Sequence, residues 1–295
     1  MVDNNKKFKI ASHSIMILLC LCCIFPFLLL IASSITDETT LVREGYSIIP
    51  GKIDFSAYVY LLTRSKALVR GYAITIGVTV VGTVLNLVLT TLLAYPLSRK
   101  GLPHRNVFAF IIFFTMLFNG GLVPTYILWS KFLHINNTYG ALIFPGLLMQ
   151  GFYVIMMRTY FTSNIPEAVI EAAQIDGARE GYILRKIVLP MSKPIFATLV
   201  MMVGLMYWND WTNGLYYINQ DKYYSVQVLL NRMLSDVQYL KTSSSLGQTG
   251  DLTQNLPSTA IKMAIAVMGA LPVMAIYPFF QKYFIKGITI GAVKG

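Results

Sequence analysis

Residues 207–213, Tyr-Trp-Asn-Asp-Trp-Thr-Asn, combine two indole rings with amide and carboxylate side chains in one short segment. Indole faces stack on sugar rings, and amides and carboxylates bind hydroxyl groups. We therefore treat Trp208, Asn209, Asp210 and Trp211 as a candidate carbohydrate path. The end of a membrane helix, with interfacial tryptophans and a polar cap, explains the same residues, and the sequence alone favours this second interpretation somewhat.

The rest of the sequence offers little catalytic chemistry. The three histidines, His13, His104 and His134, are scattered, and no spacing typical of a metal site or a catalytic triad is present. The glycine-rich residues 287–295 lack the spacing of a phosphate-binding G-x-x-x-x-G-K-[S/T] loop. We therefore predict a protein that is not an enzyme, holds no metal or cofactor of its own and does not itself hydrolyse ATP.

The elements that must position these residues are apolar. The 295 residues have 55% hydrophobic and 13% charged side chains, whereas soluble domains have about a quarter charged. A membrane span needs about 20 mostly apolar residues. Six runs meet this requirement: residues 14–35, 72–97, 107–128, 139–157, 195–215 and 263–280. We predict an all-α polytopic membrane protein whose six transmembrane helices form a domain over residues 14–285.

Glycine and proline fall inside several of these runs. Gly120, Gly121 and Pro124 lie late in the third, and Pro145 and Gly146 interrupt the fourth. Small residues let membrane helices approach closely, and proline kinks are tolerated when neighbours satisfy the freed carbonyl groups. Helix packing explains each residue by itself, and together they suit a bundle that bends.

The distribution of basic residues predicts the orientation. If the six runs alternate across the membrane, fourteen of the 24 Lys and Arg residues lie on the face that contains both termini. The positive-inside rule makes this face cytoplasmic, so residues 1–13 and 286–295 are predicted to be cytoplasmic. The run at 14–35 is long and lacks a convincing cleavage site, which indicates a retained helix. Basic residues spread over several loops indicate contact with lipid, not nucleic acid.

One connection is distinguished by its charge. Residues 171–190, EAAQIDGAREGYILRKIVLP, carry six charged side chains between two apolar runs. Residues 163–167, Ser-Asn-Ile-Pro-Glu, are typical of a helix start, with Ser or Asn as the cap and Pro and Glu in the first turn, and Gly177 can end that helix. A second helix is predicted over residues 179–188, stopped by Leu-Pro at 189–190. An amphipathic pair on the membrane surface and a helix that docks into another protein both fit.

The same stretch resembles the EAA loop of bacterial ABC-importer permeases. It contains Glu-Ala-Ala, three residues, Gly, nine residues and Ile-x-Leu-Pro, and it precedes the second-to-last apolar run. In that family the loop, here residues 163–190 and called the coupling loop below, fits into a cleft of the ATPase subunit. The resemblance implies a type I ABC importer permease with a core over residues 72–285. It assigns ATPase coupling to Glu171, Ala172, Ala173, Asp176, Gly177, Leu189 and Pro190.

The end of the chain carries a narrower resemblance. Residues 286–295, KGITIGAVKG, are similar to the tail of the MalG-like subunit of carbohydrate importers, which reaches into the ATPase dimer. By sequence alone they are an ordinary cytoplasmic end. Residues 277–284 and 118–124 look most like the permeases of the LplC/YtcP group, which are associated with complex oligosaccharides. The resemblance implies ATPase contacts for Gly287, Gly291, Lys294 and Gly295.

The resemblance therefore implies a permease subunit of an ATP-driven, binding-protein-dependent carbohydrate importer in a bacterial plasma membrane, and we expect an oligosaccharide as its cargo. The implied partners are a second homologous permease, two ATPase subunits that use ATP and Mg, and an extracytoplasmic sugar-binding protein. The alternative is an ion-coupled secondary transporter of a small polar solute. Such carriers usually place ionisable residues within their spans, and here Asp210 is the one Asp, Glu, Lys or Arg in the six runs.

Overall fold

The computed structural model describes residues 6–63, 65–245 and 258–292. Within these residues the chain is helical, and β-structure is limited to one isolated bridge between Thr36 and Ile53. The all-α fold class predicted from the sequence is therefore confirmed. In chain order the helices are α1 (Lys6–Ser34), α2 (Glu38–Glu44), α3 (Ser56–Thr63), α4 (Ser65–Ser98), α5 (Arg105–Leu117), α6 (Leu122–Ile127), α7 (Gly140–Ile143), α8 (Gly151–Asn164), α9 (Glu167–Ile175), α10 (Glu180–Ile183), α11 (Leu189–Met191), α12 (Lys193–Asn209), α13 (Thr212–Tyr217), α14 (Val226–Ser245) and α15 (Ser258–Ala292).

Three segments of the described chain are helical, long and apolar enough to cross a membrane: Phe8–Ser34, Lys66–Ser98 and Thr259–Ile276. Two bent pairs of helices also qualify if each pair is counted as one span. The first joins α5 to Leu122–Phe132 at 108°, and the second joins Glu180–Met191 to Lys193–Tyr217 at 81°. Length and composition thus give three to five candidate spans, and the count of six stays a prediction.

The fourth predicted run, residues 139–157, is broken and does not form one continuous helix. α7 ends at Ile143, and α8 begins only at Gly151. Pro145 has no N–H to extend the hydrogen bonds of α7, and Gly146 adopts a left-handed backbone with φ of +68°. The chain is therefore not helical over residues 144–150, which we call the helix break. This break contains Pro145 and Gly146, the two residues that interrupt the fourth run in the sequence.

Much of the helical surface is suited to lipid. Most large apolar side chains of α1 are between 43% and 67% exposed, from Phe8 at 66% to Ile31 at 43%. The 13-residue helix α5 has no buried residue, although four of its side chains are phenylalanine. An aqueous protein rarely presents apolar patches of this size, whereas acyl chains cover them at no cost.

The chain divides into two compact units. The first consists of Met1–Leu68 and Leu230–Pro272. Its described residues include a polar contact at the start of α15, where the Glu38 carboxylate accepts hydrogen bonds from the backbone N–H groups of Thr259 at 3.0 Å and Ala260 at 2.9 Å. A carboxylate at this position satisfies free donors and complements the positive end of the helix dipole.

The second unit consists of Val69–Leu229 and Val273–Gly295, and it contains both the coupling loop and residues 207–213. Its buried core joins α4, α7, α8, α10 and α12. Within a bilayer, lipid is as apolar as the core, so close packing and hydrogen bonds determine how helices associate. The most deeply buried side chains include Leu142, Val154, Met157, Ile183, Leu199 and Val203.

One close contact in this unit depends on a glycine. Gly82 of α4 lies directly against the ring of Tyr207 in α12, and a Cβ atom added at Gly82 would lie 2.5 Å from the ring atom Cζ. Because the Tyr207 side chain is buried and its hydroxyl group donates to Ile143 O at 3.0 Å, the ring has little room to move away.

We predict that Gly82→Ala destabilises the protein by about 1–3 kcal/mol, because the added methyl group overlaps the Tyr207 ring. The expected result is a melting temperature several degrees lower in detergent solution. Gly77→Ala is the matched control on the same helix, since nothing lies within 4 Å of its added Cβ atom. Equal melting temperatures for the two variants would contradict the predicted clash.

Candidate functional site

α9, the first helix of the coupling loop, starts later than the sequence predicted. α8 runs through Asn164, so Ser163 and Asn164 are its last residues and do not cap α9. That prediction is wrong because Ile165 is the first residue forced out of the helix, with φ −105° and ψ 113°, by the proline that follows it. α9 starts after Pro166, and Glu167 occupies its first turn as predicted. A carboxylate there is favoured by the helix dipole.

α9 ends at Ile175, and Gly177, the residue predicted to end it, follows two positions later. Gly177 has a φ of +80°, which a residue with a Cβ atom rarely adopts. Its N–H donates to Gln174 O at 3.0 Å, and the N–H of Ala178 donates to Ala173 O at 2.9 Å. This is the Schellman pattern, in which a left-handed glycine lets the chain satisfy the last carbonyl groups of a helix and reverse sharply.

The second helix of the coupling loop is longer than predicted. α10 passes into a π-helical turn over Leu184–Val188 and then into α11, so the chain stays helical through Met191. The prediction that Leu-Pro at 189–190 stops the helix is wrong, since the helix extends three residues beyond the predicted end at residue 188. Pro190 lacks an N–H donor, and it is tolerated because the π-helical turn starts a new hydrogen-bond register immediately before it.

α9 has two different faces. Ile170 is buried at 5% exposure, and Glu167, Glu171 and Gln174 lie on the same side of the helix at spacings of three and four. The opposite side exposes a line of small and apolar residues, Ala168, Ala172 and Ile175, which we call the ridge. Ile175 is 87% exposed, so the ridge presents apolar surface outside the buried core of the chain.

A cleft of about 590 Å³, lined by charged and apolar side chains, separates the side of α9 that carries Glu167 and Glu171 from the end of α4 and the turn that follows it. Basic Arg99 and Lys100 line it together with acidic Glu167, Glu171 and Glu180. Lys100 forms an ion pair with Glu167.

All seven residues assigned to ATPase coupling lie on this one loop, and most of them are exposed. Glu171, Ala172, Asp176, Gly177 and Pro190 are exposed, and Ala173 and Leu189 are half-buried. Only Glu171 among these seven lines the cleft.

Residues 207–213 lie at the other end of α12. This helix has 17 residues, so it rises about 25 Å from the coupling loop to Asn209. Trp208 is buried at 7% exposure, and Trp211 is 44% exposed. The Oδ1 atom of Asp210 accepts hydrogen bonds from the N–H groups of Thr212 at 3.2 Å and Asn213 at 3.3 Å. The alternative interpretation, a polar cap at a helix end, therefore holds for Asp210.

Trp208 also takes part in packing, since its ring centroid lies 6.4 Å from that of Tyr72 in α4. Of the four residues in the candidate path, Asn209 and Trp211 are exposed, and Asp210 is half-buried. The structure thus places two side chains of the predicted path where a solute could touch them.

The helix break is stabilised by side chains that the sequence analysis missed. Three carbonyl groups in or next to it have no partner within a helix, and each accepts a hydrogen bond from a side chain of another helix. The sequence analysis considered Asp, Glu, Lys and Arg within the apolar runs and therefore did not identify these asparagine and tyrosine donors. Asn86, a polar side chain within an apolar run, was the signal that could have revealed one of them. The pairs are Tyr207 Oη to Ile143 O at 3.0 Å, Asn213 Nδ2 to Pro145 O at 3.0 Å and Asn86 Nδ2 to Leu147 O at 2.8 Å.

The remaining predicted site residues are in the C-terminal tail. α15 continues without a break through residue 286, where the tail was predicted to begin, and Gly287 and Gly291 lie in its last turns. Lys294 and Gly295 lie outside the described residues. The described part of the chain contains no group of three or more His, Cys, Asp or Glu side chains placed to hold a metal ion.

The match of residues 102–290 to a known family assigns the chain to a class. These residues match the binding-protein-dependent transport system inner membrane component family. Since the match covers more than half of the chain, the chain belongs to this family. It is therefore a membrane-embedded transport subunit, and the importer interpretation is favoured over an ion-coupled carrier.

Individual relatives are similar over nearly their whole length. The chain is 34% identical over 296 residues to the polygalacturonan/rhamnogalacturonan transport system permease protein YtcP of Bacillus subtilis, covering 99% of each protein. It is 37% identical over 276 residues to protein LplC of the same organism, covering 92% of this chain and 90% of that protein. These two similarities confirm the resemblance to the LplC/YtcP group.

A solved structure shows the same fold. A bacterial ABC transporter involved in the import of the acidic polysaccharide alginate contains a chain that matches with a TM-score of 0.80 and 31% identity. The match covers 96% of this chain and 99% of that chain. The predicted fold class, an all-α ABC importer permease, is therefore confirmed.

We predict that Gly177→Ala destabilises the protein by about 1–2 kcal/mol, because alanine is strained in the left-handed region. Thermal unfolding of the purified protein should show a melting temperature lowered by a few degrees. Gly181→Ala is the matched control in the next helix, where φ is not positive and nothing lies within 4 Å of an added Cβ atom. A stable Gly177→Ala protein would show that the helix end does not depend on this glycine.

Proposed function

We propose that this chain is a permease subunit of an ATP-driven, binding-protein-dependent importer of an oligosaccharide. The observation that carries the proposal is the coupling loop, because a family member exposes there an apolar ridge that no described residue of its own chain covers. The names of the relatives support the substrate class. One is a transport permease for polygalacturonan and rhamnogalacturonan, and the matching solved structure takes part in alginate import.

The proposed assembly contains four kinds of subunit. This chain pairs with a second homologous permease, two ATPase subunits bind on the cytoplasmic side, and a sugar-binding protein delivers cargo from outside. Both termini and the coupling loop face the cytoplasm in this arrangement. The sequence contains no phosphate-binding loop, so ATP and Mg are assigned to the ATPase subunits and no cofactor to this chain.

The ridge is the proposed contact with the ATPase. Ala168 and Ala172 lack bulk, so a groove of the partner can approach the α9 backbone, and Ile175 fills an apolar pocket in it. Glu171 and Asp176 flank this surface. The carboxylate of Glu171 borders the cleft, and we assign it a contact at the edge of the interface. Gly177, Leu189 and Pro190 set the course of the loop, and Gly287, Gly291, Lys294 and Gly295 are assigned a second contact through the tail.

Transport requires that closure of the ATPase dimer is coupled to the change between two conformations of the permease. ATP closes the ATPase dimer, the coupling loop moves with the groove that holds it, and the membrane helices switch from an inward-facing to an outward-facing arrangement. ATP can drive this change only to the extent that it binds the two states with different affinity. Energy from ATP therefore reaches the permease through the ridge and the flanking charges.

Trp211 and Asn209 are the proposed sugar contacts of this subunit. Both are exposed at the end of α12 that lies away from the coupling loop. Trp208 and Asp210 hold this end in shape, since one packs against Tyr72 and the other caps α13. The indole of Trp211 would stack on a sugar ring while the amide of Asn209 binds a hydroxyl group.

Reconstitution tests the proposed function directly. The complex is purified through a tag on this chain, its subunits are identified by mass, and it is placed in liposomes with the sugar-binding protein, ATP and labelled oligosaccharides. A second permease, an ATPase and ATP-dependent uptake are the expected result. Purification of this chain alone would contradict the proposed assembly. Uptake that collapses with a protonophore while ATP is maintained would instead indicate the ion-coupled carrier.

We predict that Ile175→Asp reduces recovery of the ATPase subunit with the purified permease by about tenfold or more. A charge placed in an apolar contact costs well over 1 kcal/mol, and about 1.4 kcal/mol corresponds to a factor of ten. Ile49→Asp is the matched control, because Ile49 is 80% exposed and lies outside the coupling loop. Full recovery of the ATPase with Ile175→Asp would remove the ridge from the interface.

We predict that Trp211→Ala lowers oligosaccharide uptake by roughly five- to tenfold, because a stacking contact contributes about 1–1.5 kcal/mol. Trp211→Phe should retain much of the uptake, since it keeps an aromatic face. Tyr239→Ala is the control for loss of an aromatic side chain, as Tyr239 is 72% exposed in α14. Unchanged uptake with Trp211→Ala would show that this subunit does not hold the sugar there.

A further inference from the structure

α9 has little apolar anchorage of its own. In this helix, which is described in full, Ile170 is the one buried residue out of nine. Val169 is 40% exposed and Ile175 is 87% exposed. A helix of this length is not stable in isolation. Its position relative to the membrane helices therefore depends on the polar contacts that it makes.

The carboxylate of Glu180 gathers such contacts from two other elements. The hydroxyl group of Tyr95 in α4 donates a hydrogen bond to its Oε2 atom, and the Nε atom of Arg99, just beyond α4, lies 4.0 Å from the same oxygen. The side-chain amide of Gln174 in α9 donates to its Oε1 atom at 2.8 Å. Glu180 itself begins α10, so one side chain connects α4, α9 and α10.

A second polar link, between Lys100 and Glu167, is more exposed. Lys100 and Glu167 are 73% and 45% exposed, and at the other link Arg99 is 20% and Glu180 55% exposed. Exposed ion pairs contribute about 0–1 kcal/mol each. The Glu180 carboxylate contacts Tyr95, Arg99 and Gln174, whereas the Glu167 link is a single ion pair, so the link at Glu180 holds α9 more firmly.

We propose that Glu180 is a positioning residue that makes the cytoplasmic end of α4 move with the coupling loop. α4 carries the displacement inward, to Asn86 and Gly82, which lie about 14 and 20 Å along the helix from Tyr95. Asn86 contacts the helix break, and Gly82 contacts Tyr207. The proposal rests on the proposed function, since it concerns how force applied at the ridge reaches the membrane helices.

The test compares Glu180→Gln, Tyr95→Phe and the double variant in the reconstituted complex. The measured quantity is oligosaccharide taken up per ATP hydrolysed. Each single variant should lower it by about fivefold or more, the lower range of coupling between distant sites. The double variant should be no worse than the more affected single one, since both remove the same contact. Glu44→Gln, an exposed carboxylate in α2, is the control.

A distance measurement separates this proposal from the proposed function. Spin labels at Val169 in α9, which is exposed and outside the ridge, and at Gly101 after α4 are introduced into a chain whose Cys20, Cys22 and Cys23 are replaced by alanine. Glu180→Gln should broaden a narrow distance distribution. If the unmodified complex shows no ATP-driven uptake, the proposed function fails, and a broadened distribution still supports the link.

Two results would overturn the proposal. The first is unchanged uptake per ATP in Glu180→Gln, because the loop would then transmit force without this contact. The second is loss of the ATPase subunit from the purified Glu180→Gln complex, because Glu180 would then bind the partner directly. Tyr95→Phe distinguishes these cases from misfolding, since it removes one hydroxyl group and leaves the aromatic packing in place.

Discussion

Lipid offers no hydrogen-bond donor to a backbone carbonyl group, so a helix that breaks within a membrane must find donors in its own protein. In the fourth predicted span this chain breaks at residues 144–150, and Asn86, Tyr207 and Asn213 are the donors there. These side chains come from α4, α12 and α13, and the requirement therefore fixes three helices around one irregular segment. Apolar burial contributes little to association in lipid, so such hydrogen bonds and the close approach of Gly82 to Tyr207 set the arrangement of the second unit.

α4 contacts the rest of this unit at two positions along its length. Near its middle, Asn86 donates a hydrogen bond to the helix break, and near its end Tyr95 donates one to the carboxylate of Glu180. α12 is the complementary element, since it starts directly after the coupling loop and ends at residues 207–213. A displacement of the coupling loop thus meets two helices that already touch through Gly82 and Tyr207.

The features that the sequence predicted are local ones. Apolar composition sets the all-α class, Gly177 ends α9 because of its own backbone freedom, and Pro145 and Gly146 break the fourth run where they stand. The features that it missed join residues far apart in the chain. Glu180 and Tyr95 are 85 residues apart, and Asn86 and Leu147 are 61 apart, so no local spacing reveals them. The helix start at Ser163 was misplaced because serine and asparagine suit both a cap and the last turn of a preceding helix.

The geometry of Asp210 bears on how transport is driven. An ion-coupled carrier needs an intramembrane ionisable group whose partners change during the cycle, and Asp210 is the one such residue in the predicted spans. Its carboxylate is occupied by two backbone N–H groups at the start of α13. A group that caps a helix stabilises one conformation and is poorly suited to exchange ions. The proposed function accordingly assigns the entry of energy to a partner that docks on the exposed ridge of the coupling loop.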